Sequence, residues 1–144
     1  MLIARFDGGC WPNPGGHASC ACLITRGEEE IFRCSKYLGH GSKMTNNVAE
    51  FEGIKMILGW YLATKSTDAM TIVGDSQVVI WRMLGKYRKP VAGICAESAN
   101  DCLQMKSWLP YGKVNFEWQP RLSNDECDAM CDLEISEATL ATRQ

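Results

Sequence analysis

The order of hydrophobic patterns along the chain is the feature that most constrains its fold. Three strand-like runs come first, at residues 1–6, 18–25 and 31–37. The segment 26–29 between the second and third runs contains a glycine and is typical of a β-hairpin. From residue 45 to residue 63 the apolar side chains instead recur every three or four positions, as on one face of a helix. The sequence therefore predicts an antiparallel meander followed by a helix.

The second half of the chain alternates between strand and helix patterns. The predicted elements are a strand at 69–73, helices at 77–84 and 92–109, a strand at 114–118 and a helix at 124–137. A basic loop at 85–90 separates the first two of these helices. The order β-β-β-α-β-α-α-β-α predicts an α/β domain with a mixed sheet. We expect one domain over residues 1–137 and a frayed tail at 138–144.

Length and charge exclude several classes of protein. A chain of 144 residues is long enough to bury a substantial core without disulfide bonds. Its 15 basic and 17 acidic side chains argue against a protein that coats nucleic acid by bulk charge, although a local basic patch remains compatible with them. No run is long enough to span a membrane, and the first residues lack the layout of a signal peptide. We therefore expect a free-standing cytoplasmic protein that contacts no membrane.

The chain has eight cysteines, and their spacing fits neither a disulfide framework nor a zinc site. Only His17 and His40 are available as histidine ligands. We expect reduced thiols buried in the core and no disulfide-linked partner, with metal binding and redox regulation as the less favoured alternatives. Four tryptophans are also expected to pack inside the protein, with exposure as the alternative for the first of them: Trp11, Trp60, Trp108 and Trp118.

Four acidic residues occupy matching places in the predicted elements. Asp7 closes the first predicted strand and Asp75 closes the fourth, while Glu50 and Asp128 each lie about one turn into a helix. Ligand sites in sheets with parallel strands form beyond the carboxyl ends of the strands. If the first and fourth strands are parallel neighbours, the four carboxylates converge and repel one another unless a divalent cation neutralises them. Oxygen ligands favour Mg²⁺ or Mn²⁺, and ordinary surface acids are the alternative.

Four blocks of sequence carry a resemblance to a known family. They are Asp7-Gly8-Gly9-Cys10 with Asn13-Pro14-Gly15-Gly16, Thr45-Asn46-Asn47-Val48-Ala49-Glu50, Asp75-Ser76-Gln77, and Pro120-Arg121 with the segment 124–128. In order and spacing the chain resembles type 1 ribonuclease H, the endonuclease that cuts the RNA strand of RNA–DNA hybrids. The resemblance covers almost the whole chain. It implies a ribonuclease H-like fold, with a five-stranded mixed sheet and helices on both faces.

The resemblance assigns both catalysis and metal binding to the four carboxylates. They are Asp7, Glu50, Asp75 and Asp128. Two Mg²⁺ ions about 3.5–4 Å apart, for which Mn²⁺ can substitute, could clamp the attacking water and the leaving oxygen of a phosphodiester. Cleavage in this family leaves a 5′-phosphate and a 3′-hydroxyl. Many members carry a loop histidine near the last carboxylate, and here Arg121 is the candidate replacement. An arginine can steady negative charge, but it cannot act as a base near neutral pH.

The resemblance also implies which residues bind the substrate. Contacts to the RNA and the minor groove, where the 2′-hydroxyl distinguishes RNA from DNA, fall to Gly8, Gly9, Cys10, Asn13, Asn47 and Gln77. A phosphate pocket for the DNA strand falls to Thr45 and Asn46. A basic cluster with interleaved Trp81 and Tyr87 could hold the DNA backbone, and its members are Arg82, Lys86, Arg88 and Lys89. Turn formation, helix capping and a solvated charged loop are the alternatives for these residues.

The sequence thus predicts a Mg²⁺-dependent endoribonuclease whose partner is an RNA–DNA hybrid, with a monomer as the default state. One alternative is a hybrid-binding module that has lost catalysis. Another keeps the nuclease fold and changes the substrate to double-stranded RNA or a DNA junction. The presence of all four carboxylates favours the enzyme over the binding module. A cellular enzyme, a phage protein and a domain of a polymerase all fit the sequence.

Overall fold

The computed structural model of the protein describes residues 1–142. Its elements are β1 (Leu2–Trp11), β2 (His17–Arg26), β3 (Glu29–His40), α1 (Asn46–Ala63), β4 (Met70–Gly74), α2 (Gln77–Met83), α3 (Ala96–Ser107), β5 (Val114–Trp118), a 3₁₀ turn (Arg121–Asn124) and α4 (Asp125–Thr142). The strands form one sheet in the order β3-β2-β1-β4-β5. Strands β1, β2 and β3 are antiparallel neighbours, whereas β4 is parallel to both β1 and β5. The predicted element order and five-stranded mixed sheet are confirmed.

Helices cover both faces of the sheet, as predicted. Side chains alternate between the two faces of a strand, so neighbouring residues of β2 belong to different layers. Ile24 joins the main core with Phe6 and with α1, α2 and α3, whereas Leu23 packs against Cys127 of α4 on the other side. Helix α4 is therefore alone on its face of the sheet among the helices of residues 1–142. None of those helices is both long and apolar enough to cross a membrane.

The cysteines act as core residues, as expected. Six of them are buried, Cys34 and Cys95 are partly exposed, and all eight are free thiols. Burial raises the pKa of Cys22 and of Cys127 to about 12, so both thiols stay protonated near neutral pH. Protonated thiols of this kind are poor nucleophiles and poor metal ligands.

Three predicted boundaries differ from the structure by four residues or more. Strand β1 does not end at Asp7, because its pairing with β2 continues to the Trp11–His17 pair. Helix α3 begins at Ala96 rather than at residue 92, because Gly93 has a φ of 85°, which an α-helix does not allow. Helix α4 continues to Thr142, so the tail predicted at 138–144 begins as helix, and residues 143–144 lie outside the described part of the chain.

The tryptophans were only partly predicted. Trp60 packs as expected and stacks on Phe32, with 5.9 Å between the ring centroids. Trp11, Trp108 and Trp118 are exposed, so the prediction of packing is wrong for the last two and the alternative holds for Trp11. All three lie at or just beyond the end of an element, where the covering layer stops.

Candidate active site

The parallel pairing of β1 and β4 brings Asp7 beside Asp75. The last paired residues of these strands are Arg5 and Val73, and each acid lies two positions further along its chain. Helix α1 adds Glu50 from the same end of the sheet. One carboxylate oxygen from each of the three acids lies within 4.8 Å of the others. The convergence predicted for these three carboxylates is confirmed.

Two glycines allow the close packing that brings these acids together. A Cβ at Gly8 would lie 2.3 Å from the backbone carbonyl carbon of Ala49 and from the amide nitrogen of Glu50. The backbones of β1 and α1 are therefore in direct contact beside Asp7, which only glycine permits. At Gly74, directly before Asp75, a Cβ would lie 2.3 Å from the ring of Phe6.

The fourth carboxylate, Asp128, reaches the same place from the opposite face of the sheet. It lines a cavity of about 530 Å³ together with the other three acids, but it lies outside their 4.8 Å group. The buried Asn124 amide donates to the backbone oxygen of Phe6 at 2.7 Å and so ties the start of α4 to β1. Arg121 also lines the cavity, with a guanidinium nitrogen 3.7 Å from an Asp128 carboxylate oxygen.

The site concentrates negative charge in a buried place. Burial raises the pKa of Asp7 to about 7, and the charges of Asp75 and Asp128 add to this rise. Burial, followed by the charge of Asp7, raises the pKa of Glu50 well above its usual value. Burial also raises the pKa of Asp75, and the nearby Arg121 guanidinium opposes that rise.

The donor set of this cavity fits a divalent cation. The Oε2 atom of Glu50 is buried and has no hydrogen-bond partner within residues 1–142. Clustered carboxylates with raised pKa values are stabilised when a cation neutralises them. Carboxylate oxygens are also the ligands that Mg²⁺ and Mn²⁺ prefer.

The predicted phosphate-pocket residues line a second cavity of about 570 Å³. It contains Asn13, Thr45, Asn46 and Asn47, of which Asn46 and Asn47 also line the carboxylate cavity. The Asn46 backbone amide donates to Asn13 Oδ1 at 3.0 Å, and the Cys10 amide donates to Asn46 Oδ1 at 2.8 Å. Thr45 caps α1, because its hydroxyl accepts from the Val48 amide. No charged side chain of the described chain lines this cavity.

Neither the predicted basic cluster nor Gln77 lines either of these two cavities. The residues of the basic cluster contact one another: the Arg82 guanidinium lies 4.4 Å from the centroid of the Tyr87 ring and donates to the Lys89 backbone oxygen. The Lys86 ammonium lies 5.6 Å from the centroid of the Trp81 ring. Arg88 and Lys89 are exposed on the same turn between α2 and α3. These residues form a separate basic surface.

Several residues that line the carboxylate cavity were not predicted as site residues. They are Trp11, Ser76, Cys131, Asp132 and Ile135. Three of them follow Asp128 on α4 at steps of three or four residues, which places them on its face of the helix. That spacing was a usable signal for Asp132.

The segment Gly8–Gly9–Cys10, expected to contact RNA, has one backbone amide already in use, since the Gly8 amide donates to Asp7 Oδ1 at 2.9 Å.

The chain is similar to a few curated proteins, although no protein-family model matches it. It is 25% identical over 135 residues to the bifunctional protein Rv2228c of Mycobacterium tuberculosis, a match that covers 91% of this chain and 34% of that protein. An uncharacterized protein of Mycobacterium bovis, Mb2253c, matches with the same identity and coverage. The chain therefore spans about a third of the length of these relatives.

Solved structures resemble the chain over nearly its whole length. LC11-RNase H1, isolated from compost, was solved with an RNA/DNA hybrid and gives a TM-score of 0.84 at 24% identity, covering 96% of this chain and 99% of its own. The N-terminal RNase H domain of M. tuberculosis Rv2228c gives 0.83 at 22% identity, covering 98% and 97%. RNase H1 of Halobacterium salinarum gives 0.74 at 22% identity, covering 94% and 98%. The chain therefore has the type 1 ribonuclease H fold.

Proposed function

We propose that this chain is a metal-dependent endoribonuclease that hydrolyses the RNA strand of RNA–DNA hybrids. The observation that carries the proposal is the group of three carboxylates within 4.8 Å, supplied by β1, by α1 and by the residue after β4 of a ribonuclease H fold. A protein with the same fold, LC11-RNase H1, was solved with an RNA/DNA hybrid, which supports this substrate. The proposed catalytic unit is residues 1–137, acting as a monomer in the cytoplasm, and the free thiols are compatible with that compartment.

The proposed metal ligands are Asp7, Glu50, Asp75 and Asp128. When two Mg²⁺ or Mn²⁺ ions are bound, they would supply an activated water and offset charge on the leaving 3′ oxygen, which gives a 5′-phosphate and a 3′-hydroxyl. The four carboxylates must be ionised to bind metal, so the raised pKa of Asp7 and of Glu50 favours metal binding as the pH rises. The unpartnered Oε2 of Glu50 is the clearest open ligand position.

Arg121 is proposed to balance charge at the rim of the site. Its side chain is 80% exposed and lies beside Asp128, so it can move toward a bound phosphate. An arginine cannot serve as a general base near neutral pH. The proposed role is electrostatic stabilisation of the cleaved phosphate and of the product as it leaves.

The two remaining surfaces are proposed to hold the two strands of the hybrid. The cavity around Asn13, Asn46 and Asn47, which Thr45 also lines, would donate hydrogen bonds to sugar and phosphate. Because no cation of the described chain lines that cavity, the charge for backbone binding would come from the separate basic cluster. Gln77 and the Gly8–Gly9–Cys10 segment remain proposed contacts to the minor groove.

Cleavage of a substrate panel tests the proposal. A labelled RNA–DNA hybrid, double-stranded RNA, a DNA junction and duplex DNA are incubated with the protein in Mg²⁺, Mn²⁺ or EDTA. The variants are Asp75→Asn and, as a matched control, Asp68→Asn, whose carboxylate pairs with Arg26 on the remote surface. We expect metal-dependent cleavage of the RNA in the hybrid alone by the wild type and by the control, and none by Asp75→Asn.

Two results would contradict the proposal in different ways. Binding of the hybrid without cleavage in either metal would identify a binding module. Preferred cleavage of double-stranded RNA or of the junction would support the metal site but would overturn the assignment of the RNA–DNA hybrid as the substrate. Circular dichroism of Asp75→Asn separates loss of chemistry from loss of folding.

A further inference from the structure

Trp11 is a large exposed side chain on a fixed backbone. Its side chain is 70% exposed although it is the last residue of β1 and pairs with His17 of β2. The returning chain packs directly against it, because a Cβ at Gly16 would lie 2.2 Å from the Trp11 carbonyl. The adjoining turn is held as well, by the hydrogen bond between Asn13 and the Asn46 amide. The exposure of the indole is therefore not that of a mobile loop tip.

The Trp11 indole also lacks the contacts that hold two other exposed tryptophans, Trp81 and Trp118. The Trp118 ring nitrogen donates to the Asp75 backbone oxygen at 2.9 Å, and the Trp81 ring lies near the Lys86 ammonium. Within residues 1–142, no hydrogen bond, ring contact or cation contact involves the indole of Trp11. A rigid aromatic side chain loses little conformational entropy on binding, which makes it an effective recognition surface.

The position of Trp11 connects two cavities. It lines the carboxylate cavity and also a neighbouring recess of about 600 Å³ beside α4. The recess is lined by Trp11, Asp132, Ile135, Ser136, Thr139 and Leu140. The two spaces share Trp11, Asp132 and Ile135, so the recess continues directly from the carboxylates. A strand whose phosphate lies at the carboxylates would pass over the indole if it extended in this direction.

The chemistry of the recess selects which part of a nucleotide it can take. Ile135 and Leu140 provide apolar walls, and the single charged side chain in the lining is the exposed carboxylate of Asp132. A phosphate would be repelled by this carboxylate, whereas a base or a ribose would not. A carboxylate also accepts hydrogen bonds from hydroxyl groups, including the 2′-hydroxyl of RNA.

We infer that Trp11 is a positioning residue that stacks on one nucleoside of the cleaved RNA strand, next to the phosphate held at the carboxylates. This inference rests on the proposed function and extends it to a subsite that the four sequence blocks do not contain. Stacking on an indole tolerates any base, because every base presents a π-face. The contact would therefore fix the register of the strand without selecting a sequence.

The test compares Trp11→Ala with Trp11→Phe and with Trp108→Ala. Trp108 is the matched control, since it is 60% exposed and lines neither cavity. Hybrid binding is measured in an Asp75→Asn background with Mg²⁺, and cleavage is measured without that substitution. We expect Trp11→Ala to raise Kd and KM by about 5- to 100-fold, the range for stacking of one base on an aromatic side chain, with a smaller change in kcat. Trp11→Phe should recover most of the loss, and Trp108→Ala should have no effect.

A scan of single abasic nucleotides along the RNA strand identifies the stacked base. At one position near the cleaved bond, the abasic hybrid should bind the Trp11 protein as weakly as the Trp11→Ala protein binds the intact hybrid. At that same position, Trp11→Ala should be insensitive to the missing base. Unchanged Kd and KM for Trp11→Ala, or an equal Trp11 effect at every abasic position, would overturn the inference. If the wild type cuts the hybrid, those results leave the proposed function standing. A wild type that binds the hybrid through Trp11 without cutting it would overturn the proposed nuclease activity and leave the role of Trp11 standing.

Discussion

The carboxylate centre and the basic cluster differ in what holds them in place. Asp7 lies in β1, Glu50 in α1 and Asp75 directly after β4, and other side chains of these three elements form much of the main core. The basic cluster lies at the end of α2 and on the turn that follows it, where Arg82 and Lys86 contact the rings of Tyr87 and Trp81. The first arrangement cannot shift without moving the core, whereas the second depends on exposed side chains that can rearrange.

The two regions also differ in their electrostatics. At the centre, burial removes water from like charges, and the pKa of Asp7 rises to about 7 as a result. At the cluster, the charges stay in water and are screened by salt over about 8–10 Å at physiological ionic strength. Under the proposed function, chemistry would belong to the rigid, buried carboxylates and sequence-independent affinity to the solvated basic cluster. Substitutions can test this division, and those at the centre should have the largest effects.

The largest effect is expected from Glu50→Gln. The amide keeps the size of the side chain and removes the charge and one ligand oxygen, so cleavage of the hybrid should fall by about 10³-fold or more. The matched control is Glu52→Gln on the same helix, because the Glu52 carboxylate faces Lys55 and lines neither cavity. Initial rates with saturating hybrid and Mg²⁺ measure the effect. Equal rates for the two variants would remove Glu50 from the site.

Gly8→Ala should give the next largest effect, on stability. The added Cβ would meet the backbone of Ala49 and Glu50 at 2.3 Å, and a backbone cannot move aside as a flexible side chain can. We expect a loss of about 3 kcal/mol in the free energy of unfolding, near the upper end for overpacked sites. Gly9→Ala is the control, since its Cβ would lie an ordinary 3.7 Å from Ile135. Urea denaturation compares the variants, and equal midpoints would show that α1 can shift away from β1.

The sequence predicted the centre better than its surroundings, for physical reasons. Asp7 and Asp75 could be placed together on the condition that the first and fourth strands are parallel neighbours, which the pairing of β1 with β4 fulfils. The close approach at Gly8 could not be predicted, since it depends on the distance between two backbones. The start of α3 was missed because the positive φ of Gly93 belongs to the folded turn. The prediction that Trp108 packs inside the protein was wrong, because composition does not show where a covering layer ends.

The residues on α4 show the same limit. Asp128 was assigned from motif spacing, and the structure places it in the carboxylate cavity, where its catalytic role stays a prediction. Asp132 lies one turn further along the same face and was overlooked, although helical spacing alone would have indicated it. Trp11 was expected to pack inside the protein, with exposure as the alternative. Its place between two cavities was not predicted, because it depends on how α4 packs beside β1.

Burial of the carboxylates at the centre, together with their mutual repulsion, should make the metal-free protein more stable near pH 4 than near pH 7. The pKa of Asp7 in the folded protein, about 7, lies above the ordinary 3.8, so the folded state binds more protons between about pH 4 and pH 7. The free energy of unfolding in EDTA should therefore fall as the pH rises through this window, by at most a few kcal/mol. Asp7→Asn should flatten this profile, whereas Asp68→Asn on the remote surface should not. A metal-free wild type that gains stability between pH 5 and pH 7 would contradict the assignment.

The smallest effect is expected from Arg88→Gln in the basic cluster. Arg88 is exposed and makes no hydrogen bond or ion pair within residues 1–142, so its charge is free to meet a phosphate while the protein loses no internal contact. We expect hybrid binding to weaken by less than about fivefold and the slope of log K against log salt to fall by about one. The kcat should not change, because the cluster does not line the carboxylate cavity. Arg26→Gln, which breaks the ion pair with Asp68, is the matched control for loss of one surface charge. An effect of Arg88→Gln on kcat that persists at saturating hybrid would show that the two regions act together, and the division between chemistry and affinity would then fail.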